Sequence, residues 1–147
     1  MRKETIILIA EDDEGHYSLI RKNLQRAGVE NPILRFPDGQ AVLDFLFCPD
    51  HQNGPTQSDS YLLLLDIRMP KVDGIEVLQA IKKDSRLKVI PIIMVTTTDD
   101  PMEVDRCHQL GCNLYLAKPI DYDAFVDSIR KTGKFFSLLE VPSLEGV

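Results

Sequence analysis

Tyr61-Leu62-Leu63-Leu64-Leu65-Asp66-Ile67-Arg68-Met69-Pro70-Lys71-Val72-Asp73-Gly74 is the stretch that decides the architecture. Five apolar or aromatic residues run without alternation into one carboxylate, the pattern of a strand buried on both faces. Pro70 has no N–H to give the ladder, so the strand cannot continue past it. Asp66 therefore stands at a strand-to-loop junction, where open parallel α/β sheets place their ligands. Two readings are open on this stretch alone: Asp66 carries chemistry, or it merely ends a strand, as loop-edge aspartates commonly do.

Upstream, Thr5-Ile6-Ile7-Leu8-Ile9-Ala10 is a second buried strand that runs into Glu11, Asp12, Asp13 and Glu14. A helix follows, with Leu19/Ile20, Asn23/Leu24 and Ala27 at helical spacing and Gly28 as its stop. Pro32-Ile33-Leu34-Arg35-Phe36 predicts a short, weaker strand. Asp38 predicts the N-cap of a helix that carries Ala41, Val42, Phe45 and Leu46 and ends near Cys48-Pro49. Residues 50–60 are polar and non-periodic and read as a surface loop.

Downstream, Asp73-Gly74 opens a helix bearing Ile75, Leu78 and Ile81, and Ile90-Pro91-Ile92-Ile93-Met94-Val95-Thr96 is a fourth buried strand. Asp100-Pro101 caps a helix holding Val104, Cys107 and Leu110, which Gly111 terminates. Asn113 to Ala117 is the fifth strand, followed by Lys118-Pro119. A last helix from Asp121 shows Tyr122, Phe125/Val126, Ile129 and Phe136 on one side. Five strands alternating with five helices predict one doubly wound parallel α/β domain over residues 1–147.

The 147 residues are 44% hydrophobic and 27% charged, a globular composition with enough chain for a core. A net charge of -6 argues against sequence-independent nucleic-acid binding and against an acidic partner surface. Cys48, Cys107 and Cys112 are odd in number and lack C-x-x-C spacing, so neither a disulfide framework nor a zinc site is indicated and a reducing, cytoplasmic setting fits. The first strand is too short for a signal peptide, and no segment approaches the roughly 18 apolar residues of a membrane span.

All strand C-termini of a right-handed α/β sheet open on one edge, which brings Glu11, Asp12, Asp66, Thr96 and Lys118 together despite their sequence separation. Crowded carboxylates repel unless a cation neutralises them, and all-oxygen ligation suits Mg²⁺. An ammonium from Lys118 and a hydroxyl from Thr96 complete a site shaped for a phosphoryl group. The chemistry favoured is attack of an Asp66 oxygen on phosphorus to give an aspartyl phosphate.

These residues, in this order and rhythm, resemble a two-component response-regulator receiver domain from Ile6 to about Lys131. The resemblance rests on Glu11-Asp12 after the first strand, Asp66 in Asp-Ile-Arg-Met-Pro-Lys-Val-Asp-Gly, Thr96 after Ile-Ile-Met-Val, and Lys118-Pro119 after Tyr115. It implies the strand order 2-1-3-4-5, phosphate acceptance by Asp66 from a sensor histidine kinase, and Mg²⁺ held by Glu11, Asp12, Asp66 and the main-chain carbonyl of Arg68. It also implies that Thr96 and Lys118 bind the phosphoryl oxygens, that Tyr115 is the switch aromatic that turns inward as Thr96 moves, and that the Lys118–Pro119 bond is cis. The long loop before the third strand and the Gly-Lys-Phe-Phe…Val-Pro ending narrow the resemblance to single-domain regulators paired with phytochrome-type photosensor kinases.

Asp13 and Glu14 read as a solvated helix start. Arg68 reads as exposed, its side chain able to cover the phosphate, and Thr97 as a bulkier neighbour of Thr96 than the family uses. His16, His51 and His108 have no metal-ligand spacing and read as structural or surface residues. The tail, residues 132–147, predicts an extended last helix whose apolar outer face joins the fourth helix and fifth strand in a homodimer, against the alternative that it folds back over its own core. Three functions are compatible with the chain: a phosphoacceptor signalling domain that assists its own phosphorylation and dephosphorylation without being an enzyme, an aspartyl-nucleophile phosphatase, and a pseudo-receiver that only binds. Arg68 stands where such a phosphatase would carry its second acid.

Overall fold

The computed structural model describes residues 1–50, 53–56, 58–97 and 100–144. Its core is a parallel sheet in the order β2-β1-β3-β4-β5, with β1 Ile6–Ala10, β2 Ile33–Phe36, β3 Tyr61–Leu65, β4 Ile92–Thr96 and β5 Leu114–Ala117. Between and after the strands lie α1 Glu14–Arg26, α2 Gly39–Leu46, α3 Gly74–Lys83, α4 Pro101–Gln109 and α5 Tyr122–Phe136. The expected fold and strand order are the observed ones.

The unalternating apolar runs are explained by two separate cores. Leu8, Leu63, Leu65 and Met94 pack on one face with Val42, Val77, Leu78, Ile81 and Cys107 of α2, α3 and α4. The neighbouring residues Ile7, Ile9, Leu62, Leu64 and Ile93 pack on the other face with Ile20 and Leu24 of α1 and Phe125, Ile129 and Phe136 of α5. Successive strand residues thus serve opposite cores, which is why β3 and β4 are buried at every position.

Aspartates start the helices. Asp13, Asp38, Asp73, Asp100 and Asp121 each accept a main-chain N–H from the first turn of α1 to α5 in chain order. A short 3₁₀ turn, Leu87–Val89, precedes β4 and was not legible as an element.

The last helix differs from expectation at both ends. Tyr122 is 61% exposed, because burial along α5 begins only at Phe125. At the other end the helix stops at Phe136, and residues 137–144 turn back instead of extending it. Ser143 forms an antiparallel bridge with Ser60, the Leu144 N–H donates to the Asp59 carbonyl at 3.0 Å, and Val141 and Leu144 are buried. Burying two apolar side chains and pairing backbone groups outcompetes a solvated helical extension. Phe135 and Leu138 stay exposed on the outside.

Candidate functional site

Four of the five strand ends, those of β1, β3, β4 and β5, deliver the groups of the site. Beyond β1, the Glu11 N–H donates to the Phe36 carbonyl at 3.0 Å, which extends the ladder by one residue and holds Glu11 inside. The next residues leave the sheet: the Asp13 N–H donates to Glu11 Oε2 at 3.3 Å, and Asp13 Oδ1 accepts from the His16 N–H at 2.9 Å to start α1. Beyond β3, the Asp66 N–H donates to the Ala10 carbonyl at 3.0 Å. The chain then folds so tightly that a Cβ on Gly74 would lie 2.1 Å from the Asp66 carbonyl oxygen. Only glycine permits α3 to begin that close to the carboxylate it supports. Beyond β5, the Lys118 N–H donates to the Thr96 carbonyl at 2.6 Å, so the two strand ends are tied before their side chains act.

Glu11, Asp66, Thr96 and Lys118 are all buried, with at most 7% of each exposed, while Asp12 and Arg68 are exposed. Oxygens of Glu11, Asp12 and Asp66 lie within 4.8 Å of one another, close enough to share one cation. Hard carboxylate oxygens, with Asp12 exposed to water, suit Mg²⁺, which keeps part of its coordination for water and phosphate oxygens. The Lys118 ammonium pairs with Glu11 Oε1 in a short contact and reaches Asp66 Oδ2 at 3.4 Å. Burial pushes the Glu11 carboxyl up to about 7, outweighing the opposite pull of the Lys118 ammonium, and the Asp66 charge adds to the rise. The Thr96 hydroxyl is fully buried and has no hydrogen-bond partner among the described residues, which leaves it able to donate to a ligand oxygen.

The side chains of Glu11, Asp12, Asp66 and Lys118 come together, Thr96 is tied to Lys118 through its main-chain carbonyl, and Tyr115 lies on the neighbouring strand. Tyr115 is half-buried, and its hydroxyl donates to Glu103 Oε1 of α4 at 3.5 Å. Thr97 is exposed, beside the buried Thr96. The Lys118–Pro119 bond, expected to be cis, is trans. The ladder bond to Thr96 already places Lys118, and trans is the preferred isomer where no turn demands the other.

Two residues escaped the sequence. His16, expected to be structural or on the surface, brings Nδ1 to 3.1 Å from Lys118 Nζ and 3.8 Å from Glu11 Oε1. Arg35 of β2 donates to the Glu11 carbonyl through Nε at 3.3 Å and Nη2 at 3.2 Å, and to the Asp12 carbonyl at 3.2 Å. Its guanidinium lies 5.1 Å from the Tyr17 ring centroid and 3.6 Å from Glu14. The only available signals were a histidine three residues past a capping aspartate and a lone arginine in a short strand. His108 is exposed on α4, with Nδ1 3.7 Å from Cys112 Sγ, and His51 lies outside the described residues.

Residues 7–130 match the family described as the response regulator receiver domain. The structure is similar to that of a response regulator receiver domain from Rhodospirillum rubrum, with a TM-score of 0.87 and 41% identity over 96% of this chain and 99% of that one. It is similar also to the Mn²⁺-bound form of response regulator Rcp1, with a TM-score of 0.85 and 28% identity over 94% and 99% of the two chains. By sequence, Rcp1 of Synechocystis sp. is 33% identical over 114 residues, covering 77% of this chain and 76% of Rcp1. The phosphorylated cyanobacterial phytochrome response regulator RcpA superposes with a TM-score of 0.83 and 27% identity over 97% and 100% of the two chains. The five-stranded order, the acidic cluster and these likenesses agree, and the chain belongs to the response regulator receiver domain family.

Proposed function

We propose that the chain is a phosphoacceptor in two-component signalling, with Asp66 as the residue that carries the phosphoryl group. The observation that supports this best is the convergence at four strand ends of three carboxylates able to share a cation, a buried ammonium and an unpartnered buried hydroxyl. An Asp66 carboxylate oxygen attacks the phosphorus of a phosphohistidine on a sensor histidine kinase. The new P–O bond forms as the P–N bond breaks, and the leaving imidazole nitrogen keeps the electron pair and takes a proton from solvent. Lys118 and the Thr96 hydroxyl hold the transferred oxygens. Glu11, Asp12, Asp66 and the Arg68 carbonyl would hold Mg²⁺, which offsets charge on the phosphoryl group. The Mn²⁺-bound form of Rcp1 is compatible with a divalent cation at this acidic cluster.

Movement of Thr96 toward the phosphoryl group vacates space beside β5, and Tyr115 leaves Glu103 to fill it. The chain turns over no substrate but its own phosphoryl group. A phytochrome-type histidine kinase is the leading partner, by likeness to RcpA. A second copy docks along α4, β5, α5 and the C-terminal extension, where Leu114, Phe135 and Leu138 are exposed, and the setting is cytoplasmic. Among the described residues no helix is long and apolar enough to cross a membrane.

Incubation with Mg²⁺ and acetyl phosphate tests the chemistry. Stable, alkali-labile label that Asp66→Asn abolishes is the expected result. Rapid release of free phosphate would favour the phosphatase, and absence of label the pseudo-receiver. A protein that sediments as a monomer at micromolar concentration, with and without phosphate, would remove the dimer.

A further inference from the structure

An ammonium has three N–H donors, and among the described residues that of Lys118 has three acceptors: the Glu11 and Asp66 carboxylates and His16 Nδ1 at 3.1 Å. Because an ammonium has no lone pair, this contact fixes the imidazole. Nδ1 carries the lone pair and accepts, and Nε2 carries the ring proton. Two elements hold the ring there. Asp13 caps α1 through the His16 N–H, and the ring stands edge-on to Phe125 of α5, with 5.8 Å between centroids. The His16 side chain is 38% exposed, so it lines the rim of the site beside the buried Lys118.

The three acceptors differ in what else they must do. On the phosphoacceptor reading, from which this inference follows, Glu11 serves a cation and an Asp66 oxygen becomes the attacking atom. Both carboxylates are engaged elsewhere as the reaction proceeds, and although the main chain of Lys118 is fixed, its flexible four-carbon stem does not by itself fix the ammonium. His16 is the one acceptor that neither the cation nor the phosphoryl group claims. We propose that His16 is a positioning residue for Lys118, its Nδ1 keeping the ammonium seated beside Asp66 while the phosphoryl group arrives. The positive charge is then already aimed where negative charge develops.

The full chain is tested with three His16 proteins. His16→Phe keeps an aromatic edge against Phe125 but has no acceptor, and His16→Asn returns an oxygen close to where Nδ1 stood. Phosphorylation of Asp66 by radiolabelled acetyl phosphate with Mg²⁺ is expected to slow about tenfold in H16F, the loss of one charge-assisted hydrogen bond, and to recover most of its rate in H16N. In a Lys118→Ala background, H16F is expected to change the rate less than about twofold, because it acts only through the lysine.

Two measurements need no phosphate transfer. The ζ-ammonium NMR resonance of Lys118 should be visible in the wild type and H16N and lost to solvent exchange in H16F. Mn²⁺ binding, followed by electron paramagnetic resonance, should be unchanged in H16F. A wild-type rate and resonance in H16F would overturn the proposal, as would an equal slowing with and without Lys118. A tenfold weaker hold on Mn²⁺ would make His16 a metal ligand and overturn it as well. A wild-type chain that takes no label on Asp66 would sink the phosphoacceptor reading itself, a result separate from any His16 effect.

Discussion

At the C-terminal edge of the sheet, Glu11, Asp66, Thr96 and Lys118 are buried with like charges crowded together and one hydroxyl left unpartnered. At the N-terminal edge, the Thr5 and Ser60 hydroxyls are also buried, but they bond each other at 2.8 Å. The tail closes over that edge through the Ser60–Ser143 bridge, the Leu144 N–H and an Arg2 hydrogen bond to the Val141 carbonyl at 3.3 Å. The same five strands thus end in two kinds of polar burial. Satisfied groups at one edge stabilise the fold, whereas crowded carboxylates and a hydroxyl unpartnered among the described residues stand ready for a ligand at the other. Substitutions at the two edges should therefore separate stability from chemistry.

The largest effect is expected where the two are joined. Gly74→Ala drives a methyl into the Asp66 carbonyl, so the backbone carrying the carboxylate must move. A loss of about 3 kcal/mol in stability is expected, together with loss of Asp66 phosphorylation. Urea unfolding and acetyl phosphate labelling check it together, and a variant that keeps both would show that the loop yields freely. Leu144→Ala at the opposite edge removes a buried side chain far from the carboxylates. It should lower stability by about 2 kcal/mol and leave the labelling rate of folded protein unchanged. A slower rate there would mean that the tail communicates with the site.

The sequence made the satisfied parts of the fold easier to read than the coupled ones. The runs before Asp66 and Thr96 and the caps at Asp38, Asp100 and Asp121 depend on neighbours in sequence, and each appears where local pattern places it. The site carboxylates were legible because parallel topology alone gathers strand ends. His16 was not, since its partner Lys118 lies 102 positions away and nothing in helical spacing points the ring toward it. The choice between the two readings of the tail, an extended helix or a fold-back, was not legible for the same reason. Phe135-Phe136 and Leu138-Leu139 suit a helix as well as a fold-back, and the choice is made by Asp59 and Ser60, which the tail meets only in the folded chain.

Acidity offers a reversible perturbation of the C-terminal edge. Glu11 keeps its proton to about pH 7 in the folded chain but releases it near 4.5 when unfolded. Between those values the folded state binds more protons, so metal-free stability falls as pH rises, by up to about 1.4 kcal/mol per pH unit. The decline ends above the folded value. Mg²⁺ binds the ionised carboxylate, so it should raise the melting temperature more at about pH 8 than at about pH 6. Calorimetry at both values with and without Mg²⁺ measures this, and an equal increment at the two would remove Glu11 from the metal site.

The smallest expected change in stability discriminates best, because one substitution is made at both edges. Thr96→Val keeps the side-chain shape, suits a strand, and deletes a buried hydroxyl that has no partner among the described residues. Stability should rise by about 1 kcal/mol as the desolvation penalty disappears. The phosphoryl group loses a donor at the same time, and labelling should slow by about a hundredfold. Thr5→Val is the same change at the satisfied edge, where it strands the Ser60 hydroxyl and should cost about 1 kcal/mol with labelling unaffected. Opposite signs in denaturant midpoint are the expected outcome. If both variants gained or both lost stability, the Thr96 hydroxyl would not be held in reserve, and the contrast between the two edges would reduce to ordinary differences in packing.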